Sequence, residues 1–234
     1  MSAFRSILFL FIAQIALWHF SQAQKTQDWP DFARYRDSND TLKAGPNTGD
    51  RVVFMGNSIT DAWINQSPEF FANNHFIDRG ISGQTTPQML VRFRADVISL
   101  QPKAVVLLCG INDIAGNTGP STLEMIADNI MSMAELAKIN HIKVILCSVL
   151  PAFDFPWNPG SFPAEKIIAL NAWIKQYADK NRLTYLDYYT QMVDERKGMK
   201  SEYSADGVHP NKSGYLVMER IAEPVIRKKV KVKH

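Results

Sequence analysis

Ser58, Asp206 and His209 are the residues of this sequence whose types, taken together, could run acyl chemistry. A serine hydroxyl is a weak nucleophile until a base takes its proton, and that base works best when a carboxylate orients it. Imidazole is the side chain suited to the task near neutral pH. Five histidines are present, and position sorts them. His19 lies in an apolar leader, His234 is the last residue, and His75 and His141 fall at expected strand starts. His209 remains, with Asp206 three residues before it and Gly207 between them to let the carboxylate fold back toward the ring. A tetrahedral intermediate also requires donors aimed at its oxyanion. The backbone N–H groups of Ser58 and Gly83 and the side-chain amide of Asn112 are the candidates. Each surrounding block is weak alone, since Gly56-Asn57-Ser58 reads as a helix cap and Gly110-Ile111-Asn112-Asp113 as a turn. Their combination is what points to acyl transfer.

Bringing such distant blocks together requires strands whose carboxyl ends meet. Short apolar runs over 51–55, 75–78, 104–109, 144–150 and 183–186 read as strands and alternate with helical periodicity. Ser121-Thr122-Leu123-Glu124 reads as a capping box, and Leu123, Ile126, Ile130, Met133 and Ala137 then mark one helix face. Ile167, Leu170, Ile174 and Tyr177 repeat that spacing. A further helix is expected to start near Thr86-Pro87, and a last one after Pro210, ending or kinking near Pro224. Alternating strands and helices with right-handed crossovers give an α/β fold with a parallel sheet covered on both faces. In such sheets ligands bind at the carboxyl ends of the strands, which is where the blocks fall.

At these residues the chain resembles the SGNH (GDSL-type) hydrolases, esterases and lipases named for Ser, Gly, Asn and His in four blocks. All four blocks occur in order between Gly56 and Pro210. The resemblance implies a three-layer sandwich around a five-stranded parallel, flavodoxin-like sheet. It places the nucleophile on Ser58, oxyanion donors on Ser58, Gly83 and Asn112, and the acid–base pair on Asp206 and His209. It is strongest toward exported bacterial esterases similar to lysophospholipase-like and platelet-activating-factor acetylhydrolase-like proteins. One departure is visible: the family's Gly-Asp-Ser is here Gly-Asn-Ser, with Asn57 beside the nucleophile. No Gly-x-Ser-x-Gly elbow and no Gly-rich phosphate loop occurs, which disfavours an α/β-hydrolase or a nucleotide-binding protein.

The rest of the sequence bounds the reading. A net charge of +3 and 21% charged residues do not describe a nucleic-acid binder, and the basic C-terminus (Arg227, Lys228, Lys229, Lys231, Lys233) lacks interleaved aromatics. Residues 1–23 read as a secretory leader: Arg5, an apolar stretch to Phe20, then Ser21-Gln22-Ala23 as cleavage site. Residues 24–234 are expected to form one exported domain, periplasmic or secreted, without stable membrane insertion. Cys109 and Cys147 sit in apolar runs and read as buried thiols; with no clustered histidine, neither a metal nor a cofactor is expected. The stretch 151–160 holds Phe153, Phe155, Trp157 and three prolines. It is either a rigid loop packed on its own aromatics or a pocket wall. Trp63 and Trp157 are the tentative substrate contacts, and Trp63 is open to the same two readings. The expected activity is hydrolysis of carboxylic esters, with small acyl groups on carbohydrates as the favoured substrate. The alternatives are a lysophospholipase or thioesterase acting on longer chains, and an inactive carbohydrate-binding scaffold.

Overall fold

In the computed structural model residues 28–47 and 49–230 are described; the expected leader over 1–23 lies outside them, as do Lys231 and Lys233. Five strands, β1 (Val52–Gly56), β2 (Phe76–Gly80), β3 (Ala104–Leu108), β4 (Lys143–Cys147) and β5 (Thr184–Leu186), form one sheet in the order β2-β1-β3-β4-β5. Every pairing is parallel. All five residues of β1 and of β3 are buried, as expected for strands covered on both faces of a three-layer α/β sandwich. The register sets Gly56 level with Gly80 and with Leu108, so the first three strands end together. Their loops therefore emerge side by side.

The strands follow the apolar runs, and the largest departure has a clear cause. The run over 144–150 stays buried to Leu150, but the strand stops at Cys147. Ser148 Oγ accepts the backbone N–H groups of Tyr188 and Tyr189, both at 2.9 Å. Asn171 then binds both the N–H and the C=O of Val149, at 2.7 and 2.9 Å. Side chains replace the ladder while burial continues. Cys109 and Cys147 are buried free thiols, and burial pushes both thiols up.

Helix starts are displaced by one residue from the expected caps. Thr122, not Ser121, caps helix Leu123–Ile139, accepting the Met125 N–H at 3.3 Å. Ile126, Ile130, Met133 and Ala137 on that helix are buried as their spacing predicts. Thr85, not Thr86, caps helix Thr86–Asp96, in a box with Gln88. Helix Ala164–Asn181 buries Ile167, Leu170 and Ile174. The final helix, Lys212–Val230, does not end at Pro224 but continues through it. Ile226 and Val230 are fully buried beyond the proline, and that apolar burial offsets the backbone bond the proline cannot make.

Candidate active site

Two glycines let the nucleophile's turn fold across the strand ends. A Cβ on Gly56 would lie 1.9 Å from Thr60 Oγ1, and one on Gly80 would lie 2.1 Å from the Asp61 nitrogen. With neither present, the short helix Ser58–Asp61 sits directly on the ends of β1 and β2. Asn57 caps it, its side-chain oxygen accepting the Ile59 N–H at 3.2 Å. An amide oxygen accepts this bond as a carboxylate would, which accounts for asparagine beside the nucleophile. The turn is held from the far end of the chain, because Tyr215 of the last helix donates its hydroxyl to the Ile59 carbonyl at 2.8 Å.

The structure brings Ser58, His209 and Asp206 into one hydrogen-bonded line. Ser58 Oγ lies 3.0 Å from His209 Nε2, and His209 Nδ1 lies 2.7 Å from Asp206 Oδ2. The second carboxylate oxygen accepts the backbone N–H groups of His209 and Val208, at 2.8 and 2.9 Å, and the Ser204 hydroxyl at 3.1 Å. Partial burial pushes this carboxyl up, but the His209 ring and the two backbone donors outweigh it and hold it down at about 2. The single Ser204 hydroxyl hydrogen is shared with the nearer His209 carbonyl at 2.8 Å, and Ser204 Oγ accepts the Gly207 N–H at 2.9 Å. No motif marked Ser204, which closes the loop carrying the base.

The residues expected to supply oxyanion donors follow the ends of β1, β2 and β3. Among the described residues, the backbone N–H groups of Ser58 and Gly83 donate to no other backbone group. Asn112 is buried and gives one amide hydrogen to the Gln84 carbonyl at 2.9 Å, which fixes the group and leaves its second hydrogen to donate. The Gly83 loop is fixed by several partners. Asn117 donates to the Gly83 carbonyl at 3.2 Å, Gln84 donates to the Pro30 carbonyl at 2.8 Å, and buried Arg92 donates to the Gln84 side-chain oxygen at 2.6 Å. Ser82 donates to Asp61 at 2.6 Å, tying this loop to the nucleophile's helix. Asp113 does not face the reaction; it accepts the backbone N–H and the hydroxyl of Thr86, stitching two blocks together. Gln84, Arg92 and the role of Asp113 were invisible in the sequence, because each depends on a partner distant in the chain.

The two tryptophans separate. Trp63 is 1% exposed, stacked on Phe70 at 5.3 Å with its indole N–H donated to Glu219, so it belongs to the core and cannot touch substrate. Trp157 is 46% exposed, stacked on Phe155 at 5.1 Å, with its ring centroid 5.9 Å from that of His209. Its loop is rigid for a reason composition did not show. Asp154 accepts the N–H groups of Phe155, Gly160 and Ser161 and the Ser161 hydroxyl, and these bonds, led by that of Gly160, hold its carboxyl at about 2. Among the described residues no cluster of three or more His, Cys, Asp or Glu could hold a metal, and no helix is long and apolar enough to cross a membrane.

Comparison with known proteins identifies the family. The model of the GDSL-like lipase/acylhydrolase family matches residues 54–217. The chain is 48% identical to an acylhydrolase candidate from Bacteroides fragilis, covering 87% of this chain and 99% of that one, with a TM-score of 0.85. It is also 48% identical to a GDSL-like lipase from Bacteroides thetaiotaomicron, over 86% and 98% of the two chains, with a TM-score of 0.83. An acetylxylan esterase from Geobacillus stearothermophilus shares the fold at 16% identity, over 80% and 97% of the chains, with a TM-score of 0.62. Sequence comparison with curated proteins finds no match. The chain belongs to the GDSL-like lipase/acylhydrolase family, and is a carboxylic ester hydrolase.

Proposed function

We propose that the protein is a serine esterase that removes small acyl groups, acetyl above all, from carbohydrates outside the cytoplasm. The observation that carries the mechanism is the hydrogen-bonded line from Ser58 through His209 to Asp206. Asp206, ionised at any working pH, accepts a hydrogen bond from His209 Nδ1–H and so leaves the Nε2 lone pair facing the serine. Ser58 Oγ attacks the ester carbonyl as Nε2 takes its proton. The oxyanion then receives the N–H groups of Ser58 and Gly83 and the free amide hydrogen of Asn112. Collapse expels the alcohol, which takes the proton back from Nε2 and leaves an acyl group on Ser58. Water, deprotonated by the same nitrogen, attacks that acyl group, and the acid departs with Ser58 restored.

The preference for sugar esters is supported by Trp157, whose exposed face lies beside His209 where a pyranose ring could stack. The relation of fold to an acetylxylan esterase supports it further. Export is supported by the leader-like residues 1–23. The test is kcat/KM for p-nitrophenyl esters from C2 to C12, below their aggregation concentrations, together with Ser58→Ala. Acetate and butyrate should be cleaved much faster than decanoate, and Ser58→Ala should be folded and inactive. An optimum at C8 or above would overturn the small-acyl reading. Substantial turnover by folded Ser58→Ala would overturn the nucleophile.

A further inference from the structure

Next to the reacting groups lies a cavity that the hydrolytic chemistry itself does not need. It has a volume of about 270 Å³, and its lining includes Phe153, Phe155, Pro156, Arg196, Met199 and Asp206. Its position relative to the ester is set by the proton transfers. The carbonyl oxygen of the substrate must face Gly83 and Asn112. The leaving oxygen must lie within reach of His209 Nε2, the group that protonates it. The cavity is lined by Asp206 and Gly207, from the loop that carries His209, and its lining contains none of Ser58, Gly83 and Asn112. A cavity on the base's loop and apart from the oxyanion donors suits the alcohol part of the ester, whose leaving oxygen must face that base.

The lining favours a ring that is apolar on its faces and polar at its edge. Phe153 is 41% exposed, and the Arg196 guanidinium rests 5.2 Å from its ring centroid. That guanidinium stays largely in solvent, with hydrogens left to donate beyond its 3.6 Å contact with Asp194. Trp157 and Phe155 form a stacked pair between this cavity and His209. Exposed aromatics held in a loop locked by Asp154 are costly in water unless a ligand covers them. A hydrocarbon chain would offer Arg196 no acceptor beyond the Asp194 carboxylate and the water it already has. A pyranose satisfies both, stacking its C–H face on an aromatic ring and offering hydroxyls to the guanidinium.

Building on the esterase reading above, we propose that this cavity binds a second sugar unit, adjacent to the one that bears the ester. The protein's substrate is then an acylated oligosaccharide or polysaccharide and not an acylated monosaccharide. Acetylated xylotriose and acetylated cellotriose, each compared with its acetylated monosaccharide, test this. At least one trisaccharide should be hydrolysed with kcat/KM about tenfold or more above its monosaccharide, the discrimination expected of one well-formed subsite. Phe153→Ala and Arg196→Gln should each reduce that ratio by roughly three- to tenfold, with p-nitrophenyl acetate hydrolysis unchanged within about twofold. Unacetylated xylotriose or cellotriose should also inhibit hydrolysis of p-nitrophenyl acetate by the wild-type protein, an arm that depends on no variant. Ratios near one for both sugars, or no inhibition by either trisaccharide, would overturn the subsite. So would a length preference that both variants retain in full. Failure of the wild type to cleave p-nitrophenyl acetate would instead overturn the esterase reading.

Discussion

The two walls of the site are built in opposite ways. On the acid–base side everything is local: all the donors to Asp206 come from residues 204–209. On the oxyanion side the bonds reach far along the chain. Asn112 to Gln84 spans 28 residues, Asn117 to Gly83 spans 34, and Gln84 to Pro30 spans 54. The two walls also differ in solvent, since the Asp206 side chain is 41% exposed whereas Gln84, Arg92 and Asn112 are buried. The difference fits the tasks proposed for them. Oxyanion donors must be fixed before charge develops, because reorganising them during reaction would forfeit their effect. A base needs correct orientation only, which a short hydrogen-bonded loop supplies.

If this contrast holds, damage to the local wall should cost activity alone, and damage to the other wall should cost activity and stability together. Asp206→Asn should show the largest effect, a drop in kcat of roughly 10⁴-fold from the wrong imidazole tautomer, with the melting temperature nearly unchanged. A large loss of thermal stability would show that the loop is not self-contained. Arg92→Ala removes one partner of a buried ion pair with Asp96, 2.9 Å apart, and frees the Gln84 side chain. It should lower stability by about 3–5 kcal/mol in chemical denaturation. A stability equal to wild type would break the comparison.

Asn112→Ala should do both kinds of damage. kcat should fall by roughly 10²–10³-fold, and stability by about 1–3 kcal/mol because the Gln84 carbonyl loses its donor. A raised KM at unchanged kcat would make Asn112 a binding residue. The smallest effect concerns Asp78, near the same wall. Burial pushes its carboxyl up to about 7, and one of its oxygens has no hydrogen-bond partner among the described residues. Its folded value is raised above the ordinary carboxylate value. The protonated form therefore stabilises the fold below about pH 4, and this contribution is lost as pH rises through 7. Asp78→Asn should be more stable than wild type at pH 8 by on the order of 1–3 kcal/mol and should flatten the dependence between pH 4 and 7. A parallel pair of melting curves against pH would disprove this.

What the sequence made legible divides along the same line. Asp206 and His209 are readable because three residues of spacing already bring them together. The strands are readable because β1 and β3, buried on both faces, are written as unbroken apolar runs. Gln84, Arg92 and Thr86 with Asp113 are not readable, since nothing at any of those positions names its partner. Trp63 shows the opposite error. Lying five residues after the nucleophile, it invited a role in binding, yet its helix turns it into the Phe54, Phe70 and Tyr215 cluster. Nearness in sequence does not fix direction. The asparagine at 57 departs from the family's aspartate, and only the fold shows the acceptor role it keeps, its oxygen capping the turn.

The 151 residues between Ser58 and His209 impose a timetable on the molecule. Chains emerge from the ribosome amino terminus first. The residues of the nucleophile's turn and of the donors around it are thus synthesised before the loop that holds the imidazole. The Tyr215 clamp on Ile59 arrives later still, with the closing helix. A nascent chain, or one truncated before residue 209, carries the serine without the imidazole proposed to activate it. The proposed Ser58–His209–Asp206 line can therefore close only once the carboxyl-terminal residues have joined the fold.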